Sequence, residues 1–263
     1  MIRALFSAGS GMNAQQLSID NIANNLANAN TVGFKSRSTQ FQDLLYQSLL
    51  QPGSAASSQT TVPSGLQVGL GTRPAANSVV FSQGNFQETD NPLDLVIQGK
   101  GFFQIKQPDG TIAYTRAGNF QLDKDGNLVS GNGNPLEPAI NIPQQATTIS
   151  IAADGTVSYS QAGQSASQVA GQIQLANFTN PGGLNSIGNG LFLPTDASGD
   201  PTVGNPGGQE GMGTLQQGYV EDSNVSIVQE FINMISSQRA FEANSKVVKA
   251  ADDMYSQVNN LTR

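Results

Sequence analysis

The chain contains no cysteine, no histidine and no tryptophan, and only 12% of its 263 residues are charged. Each absence removes a class of chemistry. Without Cys or His there is no Ser-His-Asp or Cys-His nucleophile system, no thiolate or imidazole zinc site, no c-type haem attachment and no disulfide framework. Most catalysis that relies on a side chain titrating near neutrality goes with histidine. A soluble domain is typically about 25% charged. Half that value, with 29 Gly and 12 Pro, describes a surface of amides, hydroxyls and turns suited to neutral packing. The length allows one or two domains with a core, while 37% hydrophobic and 6% aromatic content argues against one large dense core.

Positive charge is scarce: 12 Lys and Arg against 19 Asp and Glu give a net charge of −7. No basic stripe is available to neutralise phosphates, so no nucleic-acid partner is expected. The charge is also unevenly placed. Residues 1–35 carry only Arg3, Lys35 and Asp20, residues 222–263 are nearly balanced, and the acidic excess falls on 36–221. Near-neutral ends suit packing among other chains, and an acidic middle suits water. Long apolar runs are missing too. Ala4, Leu5 and Phe6 are followed by Ser, Gly and Asn, so neither a cleavable secretory signal nor membrane insertion is expected. The absence of Cys fits a chain that travels unfolded without forming disulfides.

What the chain does have is helical periodicity at its two ends. Leu5, Met12, Ile19 and Leu26 recur every seven residues, with Ala8, Ile22 and Ala29 three positions on in the same frame; this is an a/d seam. At the other end Ile227, Met234, Phe241, Val248 and Tyr255 repeat at the same interval, flanked by Val228, Phe231, Ile235, Val247, Ala251 and Val258. Asp222, Ser223 or Asn224 would cap a helix from about Ser223 to Leu261, roughly 60 Å long at ~1.5 Å per residue. The amino-terminal helix, running from Arg3 to about Asn30, is weak by its own means. Gly9, Gly11 and asparagines 13, 21, 24, 25, 28 and 30 are poor helix formers, so both ends are expected to order only against partners. The amphipathic ends allow an intramolecular helix pair, an adaptor coiled coil, or an assembly module whose termini pack with those of neighbouring subunits. The third reading is preferred because a weak amino end and a strong carboxyl end frame a self-contained β region.

That β region has strand-length runs at 93–97, 102–106, 112–115, 119–122, 128–130, 148–151, 156–160, 172–178 and 190–193, which predict an antiparallel domain from about 75 to 215. Asp109-Gly110, Asp125-Gly126 and Asp154-Gly155 predict tight turns. Asn180 to Gly183 and Thr202 to Gly213 read as loops. Gln51 to Ser64 is polar, small and low in charge, and reads as a linker. Phe41, Leu44, Leu45 and Leu49 before it have helical spacing, yet the same stretch could be one arm of a long hairpin, and composition does not decide.

Motifs that suggest chemistry have plainer explanations. Gly99 and Gly101 follow an apolar run, but the third glycine of a dinucleotide fingerprint falls at Gln104 and no helix follows. Asp123-Lys-Asp125-Gly126 lacks the remaining ligands of a calcium loop. Glu221-Asp222 and Asp252-Asp253 point about 100° apart if helical, so neither converges on a substrate atom; a cap and a solvated face are expected. Three glycosylation sequons, at Asn177, Asn224 and Asn260, need no explanation in an Asn-rich chain. No metal, cofactor or catalytic residue is expected, and no facing carboxylate pair marks a glycosidase.

The segment NIANNLANANTVGFK, residues 21–35, resembles the amino-terminal signature of the bacterial flagellar rod and hook family of axial proteins. Asn24, Asn25, Asn28, Thr31, Gly33 and Phe34, with Ala27 and Lys35, stand at its most characteristic positions. The carboxyl end from Ser223 to Leu261 is similar to the family's other signature. Segments 41–74, 81–105 and 113–129 are most similar to the member that builds the distal rod. The resemblance is weaker over 180–213, where Gly and Pro are unusually dense at 200–213. It implies an α+β fold in three parts: terminal helices, 1–34 with 223–263, paired as a coiled-coil-like inner domain; an extended β-hairpin connecting region, 35–74; and an antiparallel β outer domain, 75–222.

The resemblance further implies a structural subunit that polymerises helically into a rigid hollow drive shaft, spanning the periplasm in the basal body and carrying torque from motor to hook. Its implied partners are further copies of itself, the proximal rod proteins, the hook protein, the surrounding P/L-ring bushing and the flagellar type III exporter. The expected assembly interface comprises Leu5, Met12, Ile19, Ile22 and Leu26 with Ile227, Phe231, Met234, Phe241, Val248, Tyr255 and Val258. The stretch from Tyr46 to Gly65, including Gln51, Pro52, Gly53 and Pro63, is implied to stiffen the rod, against the flexible linker that composition suggests. A proximal rod or hook subunit of the same family, or a secreted β-rich binding or adhesion domain, is the alternative.

Overall fold

The computed structural model describes residues 2–53, 63–161, 166–208 and 211–261. Residues 54–62 of the expected linker, 209–210 of the expected 202–213 loop, and Thr262 of the third sequon lie outside these. The fold is α+β, and the chain packs as two units: Met1–Leu26, Arg37–Ser78 and Ser226–Arg263 form one, Ala27–Ser36 and Val79–Val225 the other.

In the first unit, α1 spans Ile2–Ala27 and α2 spans Ile227–Leu261. The expected caps of α2 lie too early. Ser226 immediately precedes the helix and its carbonyl accepts the first helical bond, from Glu230 N at 2.9 Å, while Ser223 Oγ accepts from Val225 N at 3.3 Å. Between the helices runs a long hairpin: β1 (Arg37–Asp43), β2 (Tyr46–Leu50), β3 (Leu66–Gly69) and β4 (Thr72–Val79), with β1 beside β4 and β2 beside β3. The ambiguous stretch 41–49 is therefore a hairpin arm and not a helix. Its strands are mostly exposed, so they cannot gain stability from a buried face of their own.

Among its described residues the second unit carries fifteen strands in chain order. They are β5 (Phe86–Glu88), β6 (Leu95–Gln98), β7 (Phe102–Lys106), β8 (Ile112–Thr115), β9 (Phe120–Leu122), β10 (Leu128–Ser130), β11 (Ala146–Ile151), β12 (Thr156–Gln161), β13 (Gln168–Gln172), β14 (Leu175–Asn177), β15 (Asn185–Gly188), β16 (Leu191–Leu193), β17 (Thr202–Gly204), β18 (Thr214–Gln217) and β19 (Tyr219–Glu221). Six of them form one sheet in the order β15-β16-β8-β7-β14-β17, and β11-β12-β13 form a second. β17 corrects the expected loop: Thr202–Gly204 pairs antiparallel with Leu175–Asn177, so a short strand sits inside a Gly and Pro-rich segment. Asn180 to Gly183 also departs from a plain loop, because Pro181–Gly183 winds into a short 3₁₀ turn.

The Asp-Gly turns behave as their chemistry requires. Gly110, Gly126 and Gly155 have φ of 86°, 81° and 85°, a region that glycine enters without a Cβ penalty. Most of the unit's large apolar side chains converge on one cluster including Leu95, Ile97, Phe103, Ile105, Phe120, Leu136, Ile140, Ile142, Ile173 and Leu175. On the other side of β7 and β8, Phe102, Tyr114, Phe178 and Phe192 form a second cluster. The alternation of Phe102 and Phe103 between the two follows from the two-residue period of a strand.

Candidate assembly surface

The heptad pattern dictates that α1 and α2 each present a stripe, and the structure shows which stripe meets which. Ser18 Oγ lies 3.4 Å from Ser237 Oγ, and Asn25 Nδ2 donates to Glu230 Oε1 at 3.1 Å. A Cβ on Gly11 would come within 2.9 Å of Asn244 Nδ2. Each step of seven forward along α1 is matched by seven back along α2, which defines an antiparallel pair in a single register. Ala8, Ala14 and Ile22 on α1, and Ala251 on α2, are buried close to this line. Small and polar residues let the helices approach and satisfy one another's hydrogen bonds.

This departs from an a/d seam closing on itself. The large apolar side chains of α2 mostly face away from α1: Val228 is 71% exposed, Ile235 57%, Ile232 55% and Phe231 48%. Ile227, Val247, Met254, Tyr255 and Val258 are exposed as well. Met234, Phe241 and Val248 are half-buried, as are Leu5, Met12, Ile19 and Leu26, and Ile22 is buried. Phe6 is 70% exposed. Such a face is more apolar than scattered surface residues need be.

Signature residues of the first unit act as fasteners. Asn25 is buried. Its Nδ2 donates to Arg37 O at 2.9 Å and its Oδ1 accepts from Arg37 N at 2.9 Å, so one carboxamide pairs with the backbone of β1 as a strand neighbour would. One turn earlier, Asn21 bonds the Thr39 hydroxyl and accepts from Asn77 Nδ2 at 2.9 Å. In the hairpin, Gly65 is where backbones meet: a Cβ there would lie 2.6 Å from both Leu50 O and Pro52 Cδ. The Tyr46 ring stands over Gly69, its register partner. Tyr46, Gln51, Pro52, Gly53 and Pro63 are exposed.

In the second unit, sequence reasoning missed the most consequential group. Glu221, expected as a cap or solvated carboxylate, is 1% exposed. Lys35 Nζ donates to its Oε1 at 2.6 Å and Arg116 Nε to its Oε2 at 3.0 Å, with Gly84 N donating to Oε1 at 2.9 Å. Lys35 also donates to Ser82 O at 2.8 Å, and Arg116 Nη1 to Gly99 O and Gly101 O at 2.9 and 2.7 Å. The two glycines that imitated a nucleotide fingerprint thus turn their carbonyls toward an arginine. Burial strips water from the Lys35 ammonium and holds its pKa below the ordinary lysine value, with Glu221 opposing that fall.

The signature backbone joins the same spot. Gly33 N donates to Glu221 O at 2.7 Å. At φ +70°, with a hypothetical Cβ 2.5 Å from Ala117 N, only glycine fits position 33. Asn28 is half-buried and accepts from the Thr31 hydroxyl at 3.2 Å. Phe34 is half-buried and its N–H closes the turn onto Thr31 O at 3.2 Å. Asn24 and Thr31 are exposed. The signal that could have found the cluster is a lone Arg116 in uncharged surroundings, AYTRAGNF, in a chain with few cations to spend.

These features are those of axial proteins of the bacterial flagellum, and three family models match at both ends and between. "Flagella basal body rod protein" matches residues 5–35, "Flagellar hook protein FlgE/F/G D1 domain" 96–159, and "Flagellar basal body rod FlgEFG protein C-terminal" 216–261. Relatives named flagellar basal-body rod protein FlgG align end to end: 47% identity for that of Buchnera aphidicola from Acyrthosiphon pisum, over 99% of this chain and 100% of the relative. That of Caulobacter vibrioides is 49% identical over 99% of each chain, and that of Bacillus subtilis 41% over 100% of each. The chain belongs to the FlgG family of flagellar basal-body rod proteins. Similarity through both helices and the β unit removes the alternative of a secreted β-rich adhesion domain. No described helix is long and apolar enough to cross a membrane.

Proposed function

We propose that the chain is a structural subunit of the distal rod, polymerising helically into a rigid hollow shaft that transmits torque from motor to hook, with no catalytic chemistry of its own. The observation that carries this reading is the division of labour on α2. Its polar line is consumed by α1, while Phe231, Ile232 and Ile235 stay exposed among the described residues. Each large apolar side chain that a neighbouring copy covers adds roughly 1.5–3 kcal/mol. Heterologous contacts of this kind extend into filaments when a screw translation prevents closure.

In this reading the chain serves as three parts: paired helices of 1–34 and 223–263 as the inner assembly domain, 35–74 as the connecting hairpin, and 75–222 as the outer domain. The tight approaches at Gly65 and Gly69 support a stiffening role for the Tyr46 to Gly65 stretch. The proximal rod, the hook protein and the ring bushing are its neighbours in the basal body across the periplasm, and the flagellar exporter delivers it without a cleavable signal. Removal of residues 1–30 or 225–263, followed by electron microscopy of basal bodies from the producing cell, tests the proposal. Rods that end before the distal segment are expected, and normal rods after either truncation contradict it.

A further inference from the structure

A cavity of about 580 Å³ opens in the β unit, inside the range of small-molecule pockets (roughly 300–1,000 Å³). Lys100, Arg116, Asn177 and Thr179 border it. Arg116 is 5% exposed, yet its guanidinium is only partly used. Nε donates to Glu221 Oε2, and Nη1 to the carbonyls of Gly99 and Gly101. Nη2 has no partner among the described residues. Nor is it sealed in, because the one buried and unpaired side-chain polar atom among those residues is the Ser130 hydroxyl. The free nitrogen of a nearly buried arginine is therefore open on the side where Arg116 borders the cavity. Charge is unbalanced at the same place. Lys35 and Arg116 share the single carboxylate of Glu221, so one positive charge is left over, and a buried charge without a counterion is costly. Lys100, exposed, adds another and forms no ion pair among the described residues.

The groups left over define the ligand. The carbonyls of Gly99, Lys100 and Gly101 are taken, by Arg116 Nη1 and by Gly213 N. The Gln83 carboxamide is spent at both ends, donating to Ile97 O and accepting from Gly99 N. Asn177 Oδ1 accepts from Phe178 N, which leaves its Nδ2 to donate. What remains is mostly donors: Arg116 Nη2, Lys100 Nζ and Asn177 Nδ2, with the Thr179 hydroxyl able to play either part. Among the described residues no Asp or Glu borders the cavity, so a metal ion finds no charged oxygen there. With Nε and Nη1 occupied, Arg116 cannot present the two-pronged fork that grips a phosphate. Half-buried Phe81 and Pro181 supply an apolar wall. We propose that the cavity binds a carboxylate carried on an apolar body, its oxygens received by Arg116 Nη2, Lys100 and Asn177. The site is complete within one chain, so it does not depend on the polymer reading. A free small acid and an acidic side chain of a neighbouring protein present the same group, and the two sources are separable by experiment.

Titration of the full-length chain with sodium benzoate, followed through the side-chain N–H signals of Arg116 in nitrogen-15 NMR, tests the proposal. Benzoate is expected to shift those signals to saturation, and benzamide, its uncharged counterpart, to leave them in place. Lys100→Gln changes an exposed side chain and is expected to weaken benzoate binding by roughly 2- to 5-fold, the worth of a solvent-exposed ion pair. Lys124→Gln, in an exposed turn that does not border the cavity, is expected to leave binding unchanged. No saturable shift, an equal response to benzamide, or an equal loss with Lys124→Gln overturns the site. Tighter binding of inorganic phosphate than of benzoate overturns the carboxylate assignment. Carbodiimide treatment of assembled rods then separates the sources. An amide joining Lys100 to an Asp or Glu peptide assigns the ligand to a neighbouring protein, and benzoate binding to the rods without that amide assigns it to a free small acid. Rods that give neither result overturn the proposal for the assembled protein.

Discussion

Gly33 and Glu221 are where single atoms decide most. Gly33→Ala forces a Cβ onto the Ala117 backbone at an unfavourable φ, and a loss of about 1–3 kcal/mol in urea unfolding is expected. Glu221→Ala strands two buried cations and is expected to cost about 3–5 kcal/mol. Lys35→Met leaves Glu221 still bonded to Arg116 and Gly84, so its cost is expected to stay below that of Glu221→Ala; equal losses contradict the shared-carboxylate account. The depressed pKa of Lys35 also fixes a sign. The unfolded chain holds that proton to higher pH than the folded one, so this group's contribution to stability rises with pH. The stability difference between wild type and Lys35→Met should therefore climb across the interval ending near the ordinary lysine value of about 10.4, and a fall there contradicts it. None of this was legible locally. Glu221 sits beside Asp222 in a pattern that reads as surface, and its partners are remote in sequence at positions 35 and 116.

At the scale of elements, the two helices were legible because a seven-residue apolar repeat survives any context. The face each presents to the other was not. The contact line of Gly11, Ser18 and Asn25 against Asn244, Ser237 and Glu230 carries little apolar signal of its own, and of the apolar repeat only Ala8, Ile22 and Ala251 are buried beside it, so periodicity alone does not name the contact residues. Phe231→Ser and Ile235→Ser, at exposed sites, are expected to change monomer stability by no more than about 0.5 kcal/mol while abolishing distal rod formation in electron micrographs. Gly11→Leu is expected to do the reverse first, weakening the helix pair by overpacking of about 1–3 kcal/mol. Short of assembly, both helices are expected to exchange their amides quickly in dilute monomer, because α1 carries many poor helix formers and α2 leaves its apolar face uncovered; strong protection in both segments contradicts this. The hairpin was half legible: residues 41–49 read equally as a helix or a hairpin arm, and only pairing across the chain makes β1 and β4 a strand pair.

For the whole molecule, the β unit is closed by its latest residues. β5 pairs with β19 and β6 with β18, so residues 86–98 wait for 214–221. A chain ending at Met212 is therefore expected to lack the cooperative unfolding transition of the full chain, as read by near-ultraviolet circular dichroism against temperature. The strand-length runs that predict β7, β8 and β10 say nothing of this closure, because pairing between distant strands leaves no local trace. The central claim is that the uncovered face of α2 is an interface between copies. Helical reconstruction of rods assembled from the full-length chain tests it most directly. Phe231, Ile232, Ile235 and Val247 buried against a neighbouring copy is the predicted result, and the same side chains facing solvent or the open lumen contradict it.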